Sequence, residues 1–209
     1  GPFGEWTGYY ASKDRPAPIL EVERIYHRNN PIILGAPPSR PPSETSYCMD
    51  IFASAIVHND LIKQGVPDVK GVWFNVVGGR TLVIVSIKQR YPGHAKQAAI
   101  LACQSRIAAY FGRYAIVVDD DIDPSNMDEV IWALCFRSDP EKDIDIIRQA
   151  WSTPLDPTIR KPATAYYNSR AIINACKPYD WIDEFPKVVE SNPQVVARMK
   201  EKWGKVLGI

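Results

Sequence analysis

The chain is short of the residue types that mark metal-bound and disulfide-stapled proteins. Only 3 of its 209 residues are histidine and only 4 are cysteine. His27, His58 and His94 lie far apart, with no HxH or HxxxH spacing, so a zinc site has no support. Cys48, Cys103, Cys135 and Cys176 form no CxxC pair. Three of them sit inside apolar helical patterns, and all four read as buried free thiols in a reducing cytoplasm. No apolar run approaches the ~20 residues of a membrane span. Excess charge of either sign is also lacking: 25 Lys and Arg against 24 Asp and Glu leave a net charge of +1. That balance gives no electrostatic case for nucleic acid or an acidic membrane as partner. Neither GxGxxG nor GxxxxGK[ST] occurs, so nicotinamide and nucleoside-triphosphate sites lack their phosphate loop. No serine or cysteine stands in a nucleophile elbow. An initiator Met and a signal peptide are missing, and the chain reads as a fragment of a longer polypeptide.

Proline, by contrast, is abundant. The 18 prolines cluster at 16–18, 31–42 and 154–162, where connections rather than regular elements are expected. A hydrophobic fraction of 45% with 23% charged residues suits a globular α/β unit able to bury a core. Residues 21–28 alternate, with Val22, Ile25 and Tyr26 as apolar markers. Ile32–Leu34 follows an Asn29-Asn30-Pro31 turn, and both stretches read as strands. After a stiff Pro-rich linker, Ser43 caps a helix expected to run to about Lys63 and to bury Cys48, Ile51, Phe52 and Ala55.

An α/β pattern follows. Strands are expected over 69–77 and 82–87, joined by a two-residue turn at Gly78-Gly79. A helix over 93–111 carries Ile100, Cys103, Ile107 and Phe111 on one stripe, and a strand covers 114–118. Ser125 to Asp128 has the capping-box spacing before a helix over 127–136. A further strand is expected over 143–147, and residues 150–180 read as an extended excursion. Asn192-Pro193 opens a last helix to about Val206. Trp73, Phe74 and Trp132, with the apolar strands 72–77 and 82–87, suggest a self-association surface within 65–150.

The residues that carry chemistry stand first in the chain. Glu5 lies among Gly1, Gly4 and Gly8, which allow close backbone approach to a flat group. Trp6, Tyr9 and Tyr10 beside it give an aromatic setting of the kind that keeps a carboxyl protonated near neutral pH, as a proton donor needs. The run Asp119–Asp123 invites a Mg²⁺ reading, against a plainer role at a helix N-terminus. His94-Ala95-Lys96 opens a helix that could meet an anion or simply pack.

Gly1–Tyr10 resembles the active-site segment of the UbiD family, decarboxylases that use prenylated FMN, in which it reads Glu-Gly-Pro-Phe-Gly-Glu. The second glutamate of that segment is Glu5; the first is not in the chain. The resemblance continues through Leu20–Arg28, the Pro-rich linker, Pro92–Lys96 and Val117–Trp132, and is weak over 156–190. It implies a reversible, non-oxidative (de)carboxylase of an aromatic or α,β-unsaturated carboxylic acid. Glu5 would be the catalytic proton donor. Pro2, Phe3 and Gly4 would bind the cofactor, and Ser43, Tyr47, Thr153 and Leu155 would border the substrate. No metal ligand is assigned in this chain. A divalent metal and potassium would accompany the flavin, held mainly by an N-terminal part that the chain does not include.

The fold implied is α/β: the end of a β-rich flavin-binding domain (1–36), a linker and connecting helix (37–64), a Rossmann-like α/β oligomerisation domain (65–175), and a C-terminal tail and helix (176–209). The partners implied are the acid, CO2, a flavin prenyltransferase that supplies the cofactor, and further copies of the chain in a dimer or hexamer, in the cytoplasm. The alternative is a catalytically inactive assembly module when the chain is isolated.

Overall fold

The computed structural model describes residues 2–12 and 16–208. β1 (Phe3–Gly4) and β2 (Tyr10–Ser12) pair antiparallel in a small hairpin. Residues 16–42 then run on without strand or helix. Ile19, Leu20, Val22, Ile25, Tyr26 and Ile32–Leu34 are all exposed, and the strands expected over 21–28 and 32–34 do not form. Branched and aromatic side chains favour a strand only where a neighbour takes the backbone bonds and a packed face takes the side chains. Among the described residues neither is offered to this segment.

α1 (Glu44–Lys63) begins where expected, with Ser43 accepting from the Ser46 N–H at 3.3 Å. Its orientation differs from expectation. The buried face is Asp50, Ala53, Ser54, Val57 and Leu61, while Cys48, Ile51, Phe52 and Ala55 point outward. The helix is apolar on two sides, and periodicity alone does not say which side a sheet covers. The small Ala53 and Ser54 let it lie close on β3 (Val69–Phe74). There Ser54 Oγ accepts from the Phe74 N–H at 2.9 Å and donates to the Asp50 carbonyl at 2.6 Å.

β3 pairs antiparallel with β4 (Leu82–Ile87). The connection is longer than the expected two-residue turn. Asn75 Oδ1 accepts from the N–H groups of Val77 (3.0 Å) and Gly78 (3.1 Å), and a 3-10 turn at Gly79–Thr81 closes the loop. Only Gly79 takes a positive φ, 52°, whereas a tight type I′ turn needs it at both central residues.

The helix expected over 93–111 breaks at Ser105 into α2 (His94–Gln104) and α3 (Arg106–Ala109). The Ser105 hydroxyl donates to Asp60 on α1 at 2.5 Å. β5 (Tyr114–Asp119) follows, then α4 (Met127–Arg137). The cap of α4 is Asn126 rather than Ser125: its side chain accepts from the Asp128 N–H at 3.1 Å and donates to Glu129 at 2.9 Å. Next come the short α5 (Pro140–Asp143), β6 (Ile144–Trp151) and β7 (Tyr167–Asn174). β7 lies inside the stretch expected to be an irregular excursion. α6 (Pro193–Leu207) ends the described chain, capped by Asn192, with Val195, Val196, Met199 and Trp203 exposed along it.

The five-stranded sheet has the order β3-β4-β5-β7-β6, with β4, β5 and β7 parallel and both edge strands antiparallel. The period of two sorts the side chains into two layers. Val83, Val85, Ala115, Val117 and Ile172 pack with Ala53, Val57 and Leu61 of α1 and Ala98 and Ala102 of α2. Ile84, Ile116, Val118 and Ile173 pack with Val130 and Ala133 of α4 on the other face. Phe74 is fully buried and Trp73 packs into the second layer, so the strand aromatics expected on a self-association surface belong to the core. Cys103 and Cys176 are buried as expected, but Cys48 and Cys135 are exposed; all four thiols are free.

Candidate functional site

The β1–β2 hairpin docks on one end of the sheet through Trp6. Its ring meets Phe111 edge-on, centroids 5.2 Å apart at 81°, and lies over Gly79. Within the hairpin, Glu5 N–H donates to the Tyr9 carbonyl at 3.0 Å and Gly8 N–H to the Glu5 carbonyl at 2.8 Å. The two described glycines of this segment are spent on the linker. A Cβ on Gly8, at φ +83°, would stand 2.8 Å from Arg40 Cα, and one on Gly4 would stand 3.1 Å from the Pro38 carbonyl oxygen. The close approach expected toward a flat cofactor is therefore made here to residues 38–40. Gly1 lies outside the described residues.

Glu5 is half-buried, and among the described residues no hydrogen bond reaches its carboxylate. Pro2 and Phe3 are exposed beside it, with Phe3 at 67%. Together they make one open apolar wall next to an unengaged carboxylate. That wall fits one face of a planar aromatic group and does not enclose it.

A second anchor comes from the loop after β6. Arg113 lies over the Phe111 ring at 5.5 Å, pairs with the fully buried Asp156 and donates to Thr158 Oγ1 at 2.9 Å. Ser152 and Thr158 also donate to Asp156, at 2.8–3.0 Å. Burial works to raise that carboxyl, and these donors with the Arg113 charge outweigh it, holding it below its ordinary range. Lys161 of the same loop bonds the Ala11 carbonyl on β2. The loop thus clamps the hairpin.

Two cavities flank Trp6. The larger, about 640 Å³, is lined by Tyr9, Arg40, Phe111, Arg113 and Thr158 among others. The smaller, about 180 Å³, lies between the hairpin and the start of α1 and includes Ser43, Ser46, Met49, Asp50 and Arg80. Of the residues expected at a substrate pocket, Ser43 lines the smaller cavity while also capping α1. Tyr47 is half-exposed and lines neither. Thr153 is buried and accepts from the Leu155 N–H at 3.2 Å in its own turn; neither of these two lines a cavity beside Trp6, where the loop contributes Pro157 and Thr158 instead.

Sequence reasoning missed Asp50, Arg80, Arg113 and Asp156. The available signal for Asp50 was a lone carboxylate inside an apolar helix. It is 3% exposed, and its Oδ2 has no partner among the described residues. Burial pushes its carboxyl up to about 6, with the Arg80 charge opposing. A folded-state value above the unfolded one stabilises the fold fully below about pH 4, and that contribution is lost as pH rises through about 6. Asp50→Asn is expected to be more stable than the parent at pH 8 by roughly 2 kcal/mol and to flatten the pH dependence between about 4 and 7. Parallel urea-unfolding profiles for the two proteins across that range would contradict this.

The acidic turn proves to be an ion-pair knot. Asp119 accepts from Gln89 (2.8 Å), the Lys177 N–H (2.7 Å) and Arg137 (3.2 Å). Asp121 takes a bidentate pair from Arg137, at 2.7 and 2.8 Å, and Lys177 Nζ at 2.8 Å. Among the described residues no group of three or more His, Cys, Asp and Glu is placed to hold a metal. His94 is fully buried and stacks on Tyr91 with centroids 4.6 Å apart, the packing alternative of the two considered. No described helix is long and apolar enough to cross a membrane.

Comparison with known proteins agrees with this layout. Residues 46–175 match the 3-octaprenyl-4-hydroxybenzoate carboxy-lyase C-terminal domain, and residues 1–41 match the Rift-related domain of the same carboxy-lyase family, UbiD. A phenolic acid decarboxylase of Bacillus subtilis (strain 168) is 38% identical over 158 residues, which is 75% of this chain and 33% of that protein. The vanillic acid decarboxylase of Sedimentibacter hydroxybenzoicus, in its open form with truncated ShVdcD, superposes with a TM-score of 0.81 at 31% identity, covering 100% of this chain and 44% of that one. The UbiD-class enzyme HmfF from Pelotomaculum thermopropionicum, in complex with FMN, gives 0.78 at 29% identity over 94% of this chain and 42% of that one. An evolved dimeric form of HmfF in complex with prFMN gives 0.69 at 27% identity, over 94% and 39%. The chain therefore spans less than half the length of each of these relatives.

Proposed function

The chain belongs to the UbiD carboxy-lyase family, and from that premise we propose that it carries the proton-donating segment of a prenylated-FMN-dependent decarboxylase of aromatic carboxylic acids. It works there within a polypeptide of the family's full length. The observation that carries the reading is Gly-Pro-Phe-Gly-Glu at residues 1–5, with Glu5 half-buried, unengaged and set beside an exposed apolar wall.

Prenylated FMN, when bound, supplies the electron sink for carbon–carbon cleavage. The residues of this chain do the rest at one face. Pro2 and Phe3 form a wall against the flat group, and Gly4 lets the hairpin lie close on Pro38 behind it. Trp6, locked by Phe111, fixes the register of the hairpin, and the Arg113–Asp156 clamp holds the loop over it. The bond to the carboxylate breaks and CO2 leaves. The protonated Glu5 gives its proton to the carbon left with the electron pair, and water restores it. Run backward, the same groups remove the proton and permit carboxylation. A flavin prenyltransferase supplies the cofactor, and a divalent metal and potassium bind with it outside this chain.

The test is the full-length holoenzyme, loaded with prenylated FMN and offered a panel of aromatic and α,β-unsaturated acids. Formation of a decarboxylated product supports the reading; none across the panel overturns it.

A second reading rests on the outward face of α1. Ile51 (55% exposed) and Phe52 (66% exposed) lie there with Ile56 and Cys48. We infer that this face, rather than the strand aromatics, joins copies of the chain into a symmetric oligomer. Light scattering should give a mass above one subunit at micromolar concentration, reduced by Phe52→Glu. A monomer across a hundredfold concentration range would defeat it.

A further inference from the structure

We propose that the recess between α1, α3 and the end of β6 is a binding site for a small aromatic carboxylate. The site stands on the residues that line the recess and does not depend on the decarboxylase reading.

The recess has a volume of about 550 Å³, within the range of small-ligand sites. Ile56 reaches it from α1, Arg80 from the 3-10 turn before β4, and Arg106 and Ile107 from α3. Tyr110, which ends α3, and Trp151, which ends β6, complete the lining. Ile56 is the one residue that the recess shares with the outward face of α1, so it opens at the edge of that face. The two aromatic rings form an angled wall, with centroids 4.8 Å apart at 59°. Trp151 is 61% exposed and offers most of its indole to a ligand. Its backbone is fixed all the same: the Trp151 carbonyl accepts from the Phe111 N–H at 3.3 Å and from Arg170 at 2.9 Å. A wall held in place before a ring arrives loses little freedom when the ring binds.

The charges select the ligand class. Arg80 and Arg106 both line the recess, and no Asp or Glu does. Among the described residues neither guanidinium makes an ion pair, whereas Arg90, Arg113 and Arg137 are each held by an aspartate. Two cations without an acceptor, set beside an apolar and aromatic lining, suit an anion carried on a ring. A carboxylate presents two coplanar oxygens to the guanidinium fork, and the ring lays its face or edge on Tyr110 and Trp151. An uncharged ring would leave the arginines unanswered. A bare inorganic anion would leave the apolar wall in water.

The probe is benzoate, titrated into the chain while the Trp151 indole N–H resonance is followed. Benzoate should shift it saturably. Benzyl alcohol, which keeps the ring without the charge, and acetate, which keeps the charge without the ring, should each bind about tenfold more weakly or worse. Arg80→Gln and Arg106→Gln should each weaken benzoate by about tenfold and leave benzyl alcohol unaffected. Neither side chain is ion-paired to the described fold, so a urea-unfolding curve of each variant should match the parent. Equal affinities for benzoate and benzyl alcohol, or for benzoate and acetate, would overturn the site. Benzoate binding unaltered when both arginines are replaced would overturn it too. So would a Trp151 resonance that moves with protein concentration and not with benzoate, since a second copy of the chain would then occupy the recess.

Discussion

Replacing Glu5 with glutamine in the holoenzyme is expected to cut turnover by at least ~10²-fold, the usual cost of losing a general acid. The amide keeps the size of the side chain and its place in the hairpin, since the bonds that hold residue 5 come from its backbone to Tyr9 and Gly8. Stability should therefore stay close to that of the parent. KM should change little, because the proton is delivered in the transition state and not in substrate binding. Steady-state assay of the variant beside a urea-unfolding curve separates the two effects. Turnover within tenfold of the parent would remove Glu5 from the chemistry. A large loss of stability would show instead that the carboxylate holds the hairpin together.

Arg170→Leu is expected to destabilise the α/β unit by about 2–5 kcal/mol, from buried carbonyls left without a donor and the volume lost around them. Arg170 sits in the middle of β7 at 1% exposure, with no carboxylate bonded to it. Its guanidinium donates to the carbonyls of Cys103 (3.1 Å), Ala108 (2.9 Å), Ala109 and Trp151 (2.9 Å). Three of these belong to the ends of α2 and α3, where the dipole is negative and helical carbonyls are left over, although the Ala108 carbonyl also accepts from the Gly112 N–H at 3.0 Å. The cation is paid back by that field, although burial lowers its pKa. Leucine is smaller than arginine and donates nothing, so it would leave the Cys103 and Ala109 carbonyls without the guanidinium, each at a cost of about 1–3 kcal/mol, while the Ala108 and Trp151 carbonyls keep the Gly112 and Phe111 N–H groups. Gly112 belongs to the same arrangement: a Cβ there would stand 2.4 Å from the Ala108 oxygen and 2.7 Å from Arg170 Nη1. Urea denaturation should show a lower midpoint at unchanged slope. A midpoint equivalent to a change below 1 kcal/mol would mean that water replaces the guanidinium at no cost.

The same residue explains part of what the sequence concealed. β4 and β5 were legible because both faces are covered and their apolar runs are continuous. β7 is equally central, yet Asn168 and Arg170 point into the structure and break the apolar pattern. Their partners are carbonyls brought from elsewhere, which no local window contains. α1 shows the complementary failure. Its ends were legible from Ser43 and its period, but its orientation depended on β3 and on the Ser54–Phe74 bond. The unformed strands at 21–28 and 32–34 carry a local preference that needs a sheet to act on. For the site, the motif at residues 1–5 pointed to Glu5, whereas the Arg113–Asp156 clamp and the Asp50 cavity are assembled across 40 residues or more of chain and left no mark in composition or spacing.

The most direct test of the account is proton exchange at the carbon that loses CO2. The decarboxylated product is incubated with the holoenzyme in D2O, without CO2, and deuterium is located by NMR. The parent should introduce deuterium at that one carbon, and Glu5→Gln should not. Equal exchange in both proteins would contradict the assignment of Glu5 as the proton donor.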